Sequence, residues 1–437
     1  MAKRKRKAKK AKSIKEVRQR PQNLVIGLTG PVGSGCTEMA STLAEEEGFN
    51  RYKMSDAIRK ELEHNGKTVE KGTADWRKQL QDHGNNRRRG NPYYWVEKLH
   101  EKIDHDSLGN DTPVVIDGIR NHSEVRALRA SWPNFFLMAL CADKQHRWER
   151  VRHDYEGREE EFERDDRRDQ SEGPEWGQSV QRCVDEADYV CFNNTQHFVT
   201  TRGQGSGRKP DVRSIRNDLK GKTTDFLPLM KKDNQARGAR SEEIQIAAAY
   251  ALSHASGCLK RHVGAVITVD HNGLELPIST GYNENPAGVV PCIKKQACFK
   301  DECMQAFFQA QRLVYCPSCG AKIEDPTDET RCQCGERIRD WLFPTRGMEI
   351  CTAIHAEERA IRSLGDRSAA GGKLYVTTFP CFQCARMVLD AGIREVHYVE
   401  AYPNPESRKL LEDNGCKVVP FSGFTARAFF RVFERVS

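Results

Sequence analysis

The stretch His355–Cys384, HAEERAIRSLGDRSAAGGKLYVTTFPCFQC, decides how this chain reads. It opens on His355-Ala356-Glu357 and closes on Pro380-Cys381-Phe382-Gln383-Cys384. One imidazole and two thiolates at this spacing offer three ligands to a tetrahedral zinc and leave a fourth position open. An open position marks a catalytic rather than a structural site, because it admits the water that the metal activates. Glu357 is not needed as a ligand and stands two residues from one, where it can move protons. The residues Cys351, Thr352, Ala353, Ile354, Glu358, Ala360 and Ile361 around the motif are helix-compatible, and Gly371 to Thr378 reads as a glycine turn and a strand. Pro380 is expected in the first turn of the next helix, where its missing N–H is harmless. Cys381 and Cys384 then share one face, and the helix dipole favours their thiolates.

This combination removes the amino group from cytosine or adenine rings. The competing readings are a structural zinc knuckle or cysteines buried as small hydrophobes. HAE and PCxxC in a helix–strand–helix context disfavour both.

Upstream, Cys316-Pro317-Ser318-Cys319-Gly320 and Cys332-Gln333-Cys334-Gly335 give CxxC, a 12-residue spacer and CxC. Glycines behind each pair suit tight knuckles around a second, structural Zn²⁺ held by Cys316, Cys319, Cys332 and Cys334, with no glutamate or open position beside it. Cys292, Cys298 and Cys303 blur that ligand set and compete for a place in it. Residues 292–341 are read as a zinc-ribbon-like insertion.

The N-terminal half carries a different signal. Leu24 to Thr29 is a short apolar strand, followed by Gly30-Pro31-Val32-Gly33-Ser34-Gly35-Cys36-Thr37 and a helical stretch from Glu38 to Glu47. This is the phosphate-loop pattern except at Cys36, which stands where a lysine belongs. The glycines let backbone N–H groups converge on phosphates, and Thr37 can ligand Mg²⁺ with a bound nucleoside triphosphate. Cys36 cannot supply the cation that phosphoryl transfer leans on, so the expectation is nucleotide binding without kinase activity. A glycine turn serving backbone geometry alone is the bland alternative. Met54 to Arg59 resembles a monophosphate-site segment, and the charged run Arg158 to Arg168 reads as a mobile lid or a solvated helix face. The strands Pro113 to Asp117, Phe135 to Leu140 and Asp188 to Asn194 alternate with helices. The expected fold class is therefore α/β, with an N-terminal doubly wound parallel sheet over residues 21–200. Residues 201–240, rich in Gly, Arg, Lys and Ser, are read as a linker.

Residues 1–20 hold 7 Lys, 4 Arg and one Glu, so the remaining 417 residues sum to −2 of the total +8. The tail is read as disordered, touching nucleic acid electrostatically or merely solvated. Hydrophobic content is 38% with no run of about 18 apolar residues, so no membrane span is expected. The basic N-terminus lacks an apolar stretch behind it, as a signal peptide requires. Sixteen cysteines, many in metal-ligand spacings, fit a reducing cytoplasm.

From about Ser241 the pattern becomes specific. Glu242 to Ser253 is expected as a helix and Val263 to Val269 as a strand. Cys258-Leu259-Lys260-Arg261-His262-Val263-Gly264-Ala265, Gly281-Tyr282-Asn283, HAE, PCFQC and Tyr402-Pro403 follow the order seen in deoxycytidylate deaminases, which residues 241–437 resemble. The resemblance implies a cytidine-deaminase-like α/β/α domain, an Asn283 that hydrogen-bonds the substrate's sugar, and Lys260 and Arg261 as phosphate contacts. Read without it, Asn283 is a turn residue and the two cations belong to a solvated loop. A degenerate kinase-like domain ahead of such a deaminase is similar to the bacterial anti-phage dCTP deaminases. That family implies conversion of dCTP and dCMP to dUTP and dUMP, depletion of deoxycytidine nucleotides, and a regulatory nucleotide at the phosphate loop. It also implies a homo-oligomer and, in some members, an inhibitory small RNA. The rivals are a housekeeping dCMP deaminase feeding thymidylate synthesis, a nucleic-acid-editing deaminase, and an inert nucleotide sensor.

Overall fold

Every residue of Val25–Thr29 (β1) is buried, as a strand at the centre of a two-faced parallel sheet requires. The structure, a computed structural model, describes residues 23–67, 76–106, 112–170, 175–194, 198–200, 208–233, 235–327, 330–334, 338, 342, 350–400 and 405–434. The basic tail, Gly335, Trp341, Tyr402 and Pro403 lie outside the described residues. The chain divides into two units: residues up to Gly238 together with Ser422–Ser437, and Ala239–Phe421.

In the first unit β1 lies between β3 (Val114–Asp117) and β4 (Phe135–Cys141), with β2 (Asn50–Lys53) beside β3 and β5 (Tyr189–Phe192) beside β4. All of these pairs are parallel, with Val25 opposite both Val114 and Phe135. A separate antiparallel ribbon joins β6 (Phe198–Thr200) to β7 (Arg208–Pro210). The expected doubly wound sheet is present.

Two boundaries differ from the sequence reading. The segment taken as a linker contains the helix Val212–Met230, which Asp211 caps through the N–H groups of Arg213 and Ser214. Its Ile215, Leu219, Phe226, Leu227, Leu229 and Met230 enter the same core as Ile26, Leu28 and Met39. Burying Leu219 and Phe226 stabilises the unit by about 2 kcal/mol each. The Gly-, Arg- and Lys-rich composition concealed a helix whose apolar residues lie on one stripe. The second difference is at the C-terminus, where β15 (Gly423–Phe424) pairs antiparallel with β5, so the last residues belong with the first sheet. All of the charged run Arg158 to Arg168 except Arg158 lies in the helix Glu159–Gln170, which buries Phe162, Asp165, Asp166 and Asp169.

The second unit is built on a five-stranded mixed sheet. β8 (Gly264–His271) and β9 (Leu274–Tyr282) form a hairpin, and β12 (Lys373–Thr378), β13 (Glu395–Glu400) and β14 (Lys417–Pro420) extend it beyond β8. β12 runs antiparallel to β8, whereas β12, β13 and β14 are mutually parallel. Two glycines show how helices cover both faces. A Cβ on Gly264 would meet the Ala249 carbonyl of the helix Ser241–Ser253 at 1.8 Å. One on Gly281 would meet Ala356 O at 2.2 Å and Ala360 N at 2.5 Å, in the helix Ala356–Arg362. Gly281 lies opposite Ala265, one residue on from Gly264, so the two glycines face opposite sides of the sheet. The insertion forms the small hairpin β10 (Leu313–Tyr315) and β11 (Lys322–Glu324), packed on Phe308 and Ile338.

Candidate active site

Gly281 sets the site's position, because its missing Cβ lets the helix Ala356–Arg362 lie directly on β9. Ser279 Oγ fixes that helix further by donating to Ala360 O at 2.6 Å. Just before it, Ile354 and Glu284 form an isolated antiparallel bridge, with reciprocal N–H···O contacts of 2.9 and 3.2 Å. Residues 351–354 are therefore not helical, contrary to the sequence reading, and His355 is the N-cap. From the end of β12 the chain passes through Phe379 and Pro380 to Cys381, the N-cap of the helix Phe382–Asp390. Pro380 precedes the cap instead of occupying the first turn. In both cases a candidate ligand takes the capping position, where an extended conformation aims its side chain off the helix end.

Two helix ends thus bring His355, Cys381 and Cys384 together. Cys381 Sγ and Cys384 Sγ each lie 3.4 Å from His355 Nδ1, and all three ligand atoms fall within 4.8 Å of one another. A tetrahedral zinc with bonds of ~2.3 Å to sulfur and ~2.0 Å to nitrogen has S···N edges of about 3.5 Å, so the donor set and its spacing fit the metal. The hydrogen bond with Cys384, and then that with His355, holds the Cys381 thiol down at about 4. The same contact with Cys381 raises His355 to about 9. A metal ion exchanges for the protons shared in this cluster, as zinc–thiolate binding does. Glu357, only 4% exposed, is pushed up to about 7 by burial, which poises it to take and release a proton near neutrality.

The resemblance-derived contacts divide. Asn283, 7% exposed, accepts Val263 N–H at 2.7 Å and donates to Arg261 O at 2.9 Å, splinting the loop ahead of β8. Arg261 pairs with Glu400 at 3.0 Å, and Glu400 accepts Thr378 Oγ1 at 3.0 Å, so Arg261 reaches the strand ends from which Cys381 departs. Lys260 instead pairs with Asp301 in a separate cleft lined by Gln305, Gln309 and Thr327. Sequence reasoning gave no role to Arg359, whose Nη2 donates to Glu284 O at 3.2 Å and whose guanidinium lies 5.5 Å from the Tyr282 ring centroid.

The Cys₄ group of the insertion also meets: Cys316 Sγ lies 3.6 Å from Cys334 Sγ and Cys319 Sγ 3.3 Å from Cys332 Sγ, all four within 4.8 Å. These spacings are close to the sulfur–sulfur edge of about 3.8 Å in a tetrahedral zinc thiolate.

In the first unit, Gly30 to Gly35 form the loop between β1 and the helix Cys36–Glu47. Gly35 caps that helix at φ 105°, a left-handed conformation that favours glycine. Arg147 and Arg150 donate to the carbonyls of Val32 (3.1 Å) and Gly33 (3.2 Å), and Asn193 Nδ2 to that of Ser34 (2.9 Å). Thr37 Oγ1 donates to Asp117 Oδ2 at 3.1 Å, a hydroxyl–carboxylate pair whose oxygens suit Mg²⁺. Arg51 also pairs with Asp117, at 3.0 Å. Cys36 Sγ sits 3.5 Å from Ser34 Oγ, and burial, followed by the Asp117 charge, pushes its thiol up to about 12.

A family model described as "Cytidine and deoxycytidylate deaminase zinc-binding region" matches residues 240–400, and one described as "AAA domain" matches residues 26–171. The deoxycytidylate deaminase of Enterobacteria phage T4 is 33% identical over 177 residues, 39% of this chain and 84% of the phage protein. The chain belongs to the deoxycytidylate deaminase family. It fuses that family's domain to an N-terminal AAA domain of nucleotide-kinase type. The deoxycytidylate deaminase of Saccharomyces cerevisiae is 30% identical over 169 residues; the match takes in 38% of this chain and 40% of the yeast protein's length. The dCMP deaminase of cyanophage S-TIM5, solved with dCMP and dUMP, aligns at 20% identity with a TM-score of 0.26, over 42% of this chain and 99% of that one. Among the described residues no helix is long and apolar enough to cross a membrane.

Proposed function

We propose that the chain hydrolytically deaminates deoxycytidine nucleotides, dCTP to dUTP and dCMP to dUMP, and so depletes deoxycytidine nucleotides in anti-phage defence. The observation that carries the chemistry is the meeting of His355, Cys381 and Cys384 beside a buried Glu357 on the helix that His355 caps. Zinc held by those three residues supplies a Lewis acid that brings a water molecule's pKa close to neutrality. Glu357 accepts a proton as the C4–O bond forms and delivers it to ring N3. It then carries the second proton to the exocyclic nitrogen as the C4–N bond breaks, so water enters and ammonia leaves with no other reactant. Arg261, with Glu400 as its resident counter-ion, is the proposed phosphate contact at the strand ends. Asn283 shapes the loop that presents it.

The phosphate loop is proposed to bind a regulatory nucleotide with Mg²⁺ at Thr37 and Asp117, and position 36 brings no cation for phosphoryl transfer. The Cys316 group is assigned a structural zinc. A homo-oligomer, a cytoplasmic location and restraint by a small RNA belong to the same proposal. A second reading, a dCMP deaminase feeding thymidylate synthesis, is favoured by the curated relatives' being deoxycytidylate deaminases. The experiment is ammonia release by the full zinc-loaded chain on dCTP, dCMP, CTP and a cytosine oligonucleotide, with and without ATP or GTP. Turnover of dCTP altered by a purine nucleotide supports the first reading. Activity confined to dCMP and indifferent to ATP and GTP supports the second, and activity on the oligonucleotide alone removes both.

A further inference from the structure

The strands β1, β2 and β3 run parallel, so their carboxyl ends lie along one edge of the first sheet, the edge at which such sheets bind ligands. There β1 passes into the phosphate loop, and β2 and β3 end on Lys53 and Asp117, which stand opposite each other in the ladder. Arg51 lies two residues before Lys53, on the same side of β2. Its Nη1 donates to Ser41 Oγ at 2.8 Å, on the helix behind the loop and one turn on from Thr37.

These side chains converge on one oxygen. Asp117 Oδ2 accepts Thr37 Oγ1 at 3.1 Å and Arg51 Nη2 at 3.0 Å, and Lys53 Nζ lies 3.9 Å from it. The Asp117 side chain is 3% exposed, whereas those of Arg51 and Lys53 are 28% and 33% exposed. Two cations therefore share one buried carboxylate and face partly outward. Among the described residues, Lys53 has no other carboxylate within ion-pair distance. With Cys36 holding its proton, the group carries one surplus positive charge. A lysine at position 36 would have brought that same charge to the loop.

Three further arginines near the loop are committed elsewhere. Arg147 forms a bidentate pair with Asp166, at 2.6 and 3.0 Å, and Arg120 pairs with Asp169. Arg150 donates to the carbonyls of Gly33 and Asn193. Arg147 and Arg150 also engage the loop through its carbonyl oxygens, a face of the wrong polarity for phosphate.

We propose that Arg51 and Lys53 supply from β2 the phosphate-binding cation that position 36 lacks, holding the terminal phosphates of a nucleoside triphosphate at the loop. This rests on the reading of the loop as a nucleotide site. A phosphate chain carries more charge than one carboxylate and takes a guanidinium bidentately, so it draws both cations off Asp117. Asp117 Oδ2 is thereby released to Mg²⁺ beside Thr37. Until then the pair keeps the buried carboxylate neutralised.

The test is calorimetric binding of magnesium-ATP and magnesium-GTP to the full zinc-loaded chain. Three forms are compared with the wild type: the double variant Arg51→Gln/Lys53→Gln, that variant with Cys36→Lys added, and Lys53→Gln alone. The double variant should bind the nucleotide at least about tenfold more weakly, because two charge-assisted contacts are lost. Adding Cys36→Lys should recover most of that loss, a rescue that a purely structural role for the pair does not give. A wild type that binds neither nucleotide overturns the nucleotide reading and this assignment with it. Wild-type affinity in the double variant, or a loss that Cys36→Lys leaves unrepaired, overturns the assignment alone. If the double variant does not fold, Lys53→Gln decides, since its longer contact leaves the Arg51–Asp117 pair in place. Binding about fivefold weaker supports the assignment, and unchanged binding contradicts it.

Discussion

Cys36 and Cys381 both stand at the N-terminus of a helix that follows a buried strand, yet they have opposite chemistry. Cys36 heads the helix behind the phosphate loop, and burial with the Asp117 carboxylate nearby pushes its thiol up to about 12. Cys381 caps the helix Phe382–Asp390, and its contacts with Cys384 and His355 hold it down at about 4. The helix dipole favours an anion at both positions. Burial raises both thiols; at Cys36 it prevails and the Asp117 charge adds to it, whereas at Cys381 the contacts with Cys384 and His355 outweigh it. Position in the fold makes each residue available, and burial set against its contacts decides whether the thiol or the thiolate is favoured.

The sharpest way to break this contrast is to remove the imidazole. His355→Ala should cost one zinc per chain and lower deamination by more than about 10⁴-fold, since the chemistry loses its Lewis acid. Zinc content and turnover measured on one sample check it; retained zinc means that the ligand set is wrong. The next effect concerns Cys36. With its pKa near 12, its thiolate fraction at pH 8 is so small that alkylation should run roughly 10³-fold slower than at a free thiol. Because an acid with a raised pKa holds its proton, the rate should climb with pH up to about 12. Mass-mapped iodoacetamide labelling reads this directly, and fast labelling at pH 8 contradicts the burial argument.

Gly281→Ala follows in size. The added methyl meets the backbone of the helix Ala356–Arg362, so about 2 kcal/mol of stability should be lost and the helix displaced. Chemical denaturation gives the first quantity, and a fall in kcat larger than the rise in KM gives the second. The smallest change is Thr37→Ala. Losing one hydroxyl beside Asp117 should weaken magnesium-nucleotide binding by about tenfold while leaving nucleotide-free deamination unaltered. Calorimetry with ATP and GTP tests it, and an equal loss of basal turnover means that the two units are not functionally separable in this way.

Much of this was legible in the chain. HAE and PCFQC marked the three donor side chains that the structure brings together and the buried glutamate beside them, because metal coordination fixes residue type and spacing more tightly than any packing rule. The unbroken apolar runs at Val25 and Phe135 gave the parallel sheet, since strands covered on both faces need no alternation. The helix Val212–Met230 was not legible, because Gly221 and Pro228 inside it are poor helix formers and read as breaks. The return of Gly423 and Phe424 to the first sheet was hidden for another reason: long-range strand pairing leaves no local signature. Gly281 could be seen in the sequence, but its purpose depends on a helix some 75 residues later, and a glycine does not state which neighbour it makes room for.

The central claim is that Glu357 moves protons at a metal it does not bind. Glu357→Gln keeps the side chain's shape and removes the carboxylate, so zinc content and ammonia release from dCMP and dCTP, taken on one preparation, isolate its role. The account predicts zinc equal to the wild type with turnover lower by about 10²–10⁴-fold. Turnover equal to the wild type, or loss of zinc together with activity, contradicts it.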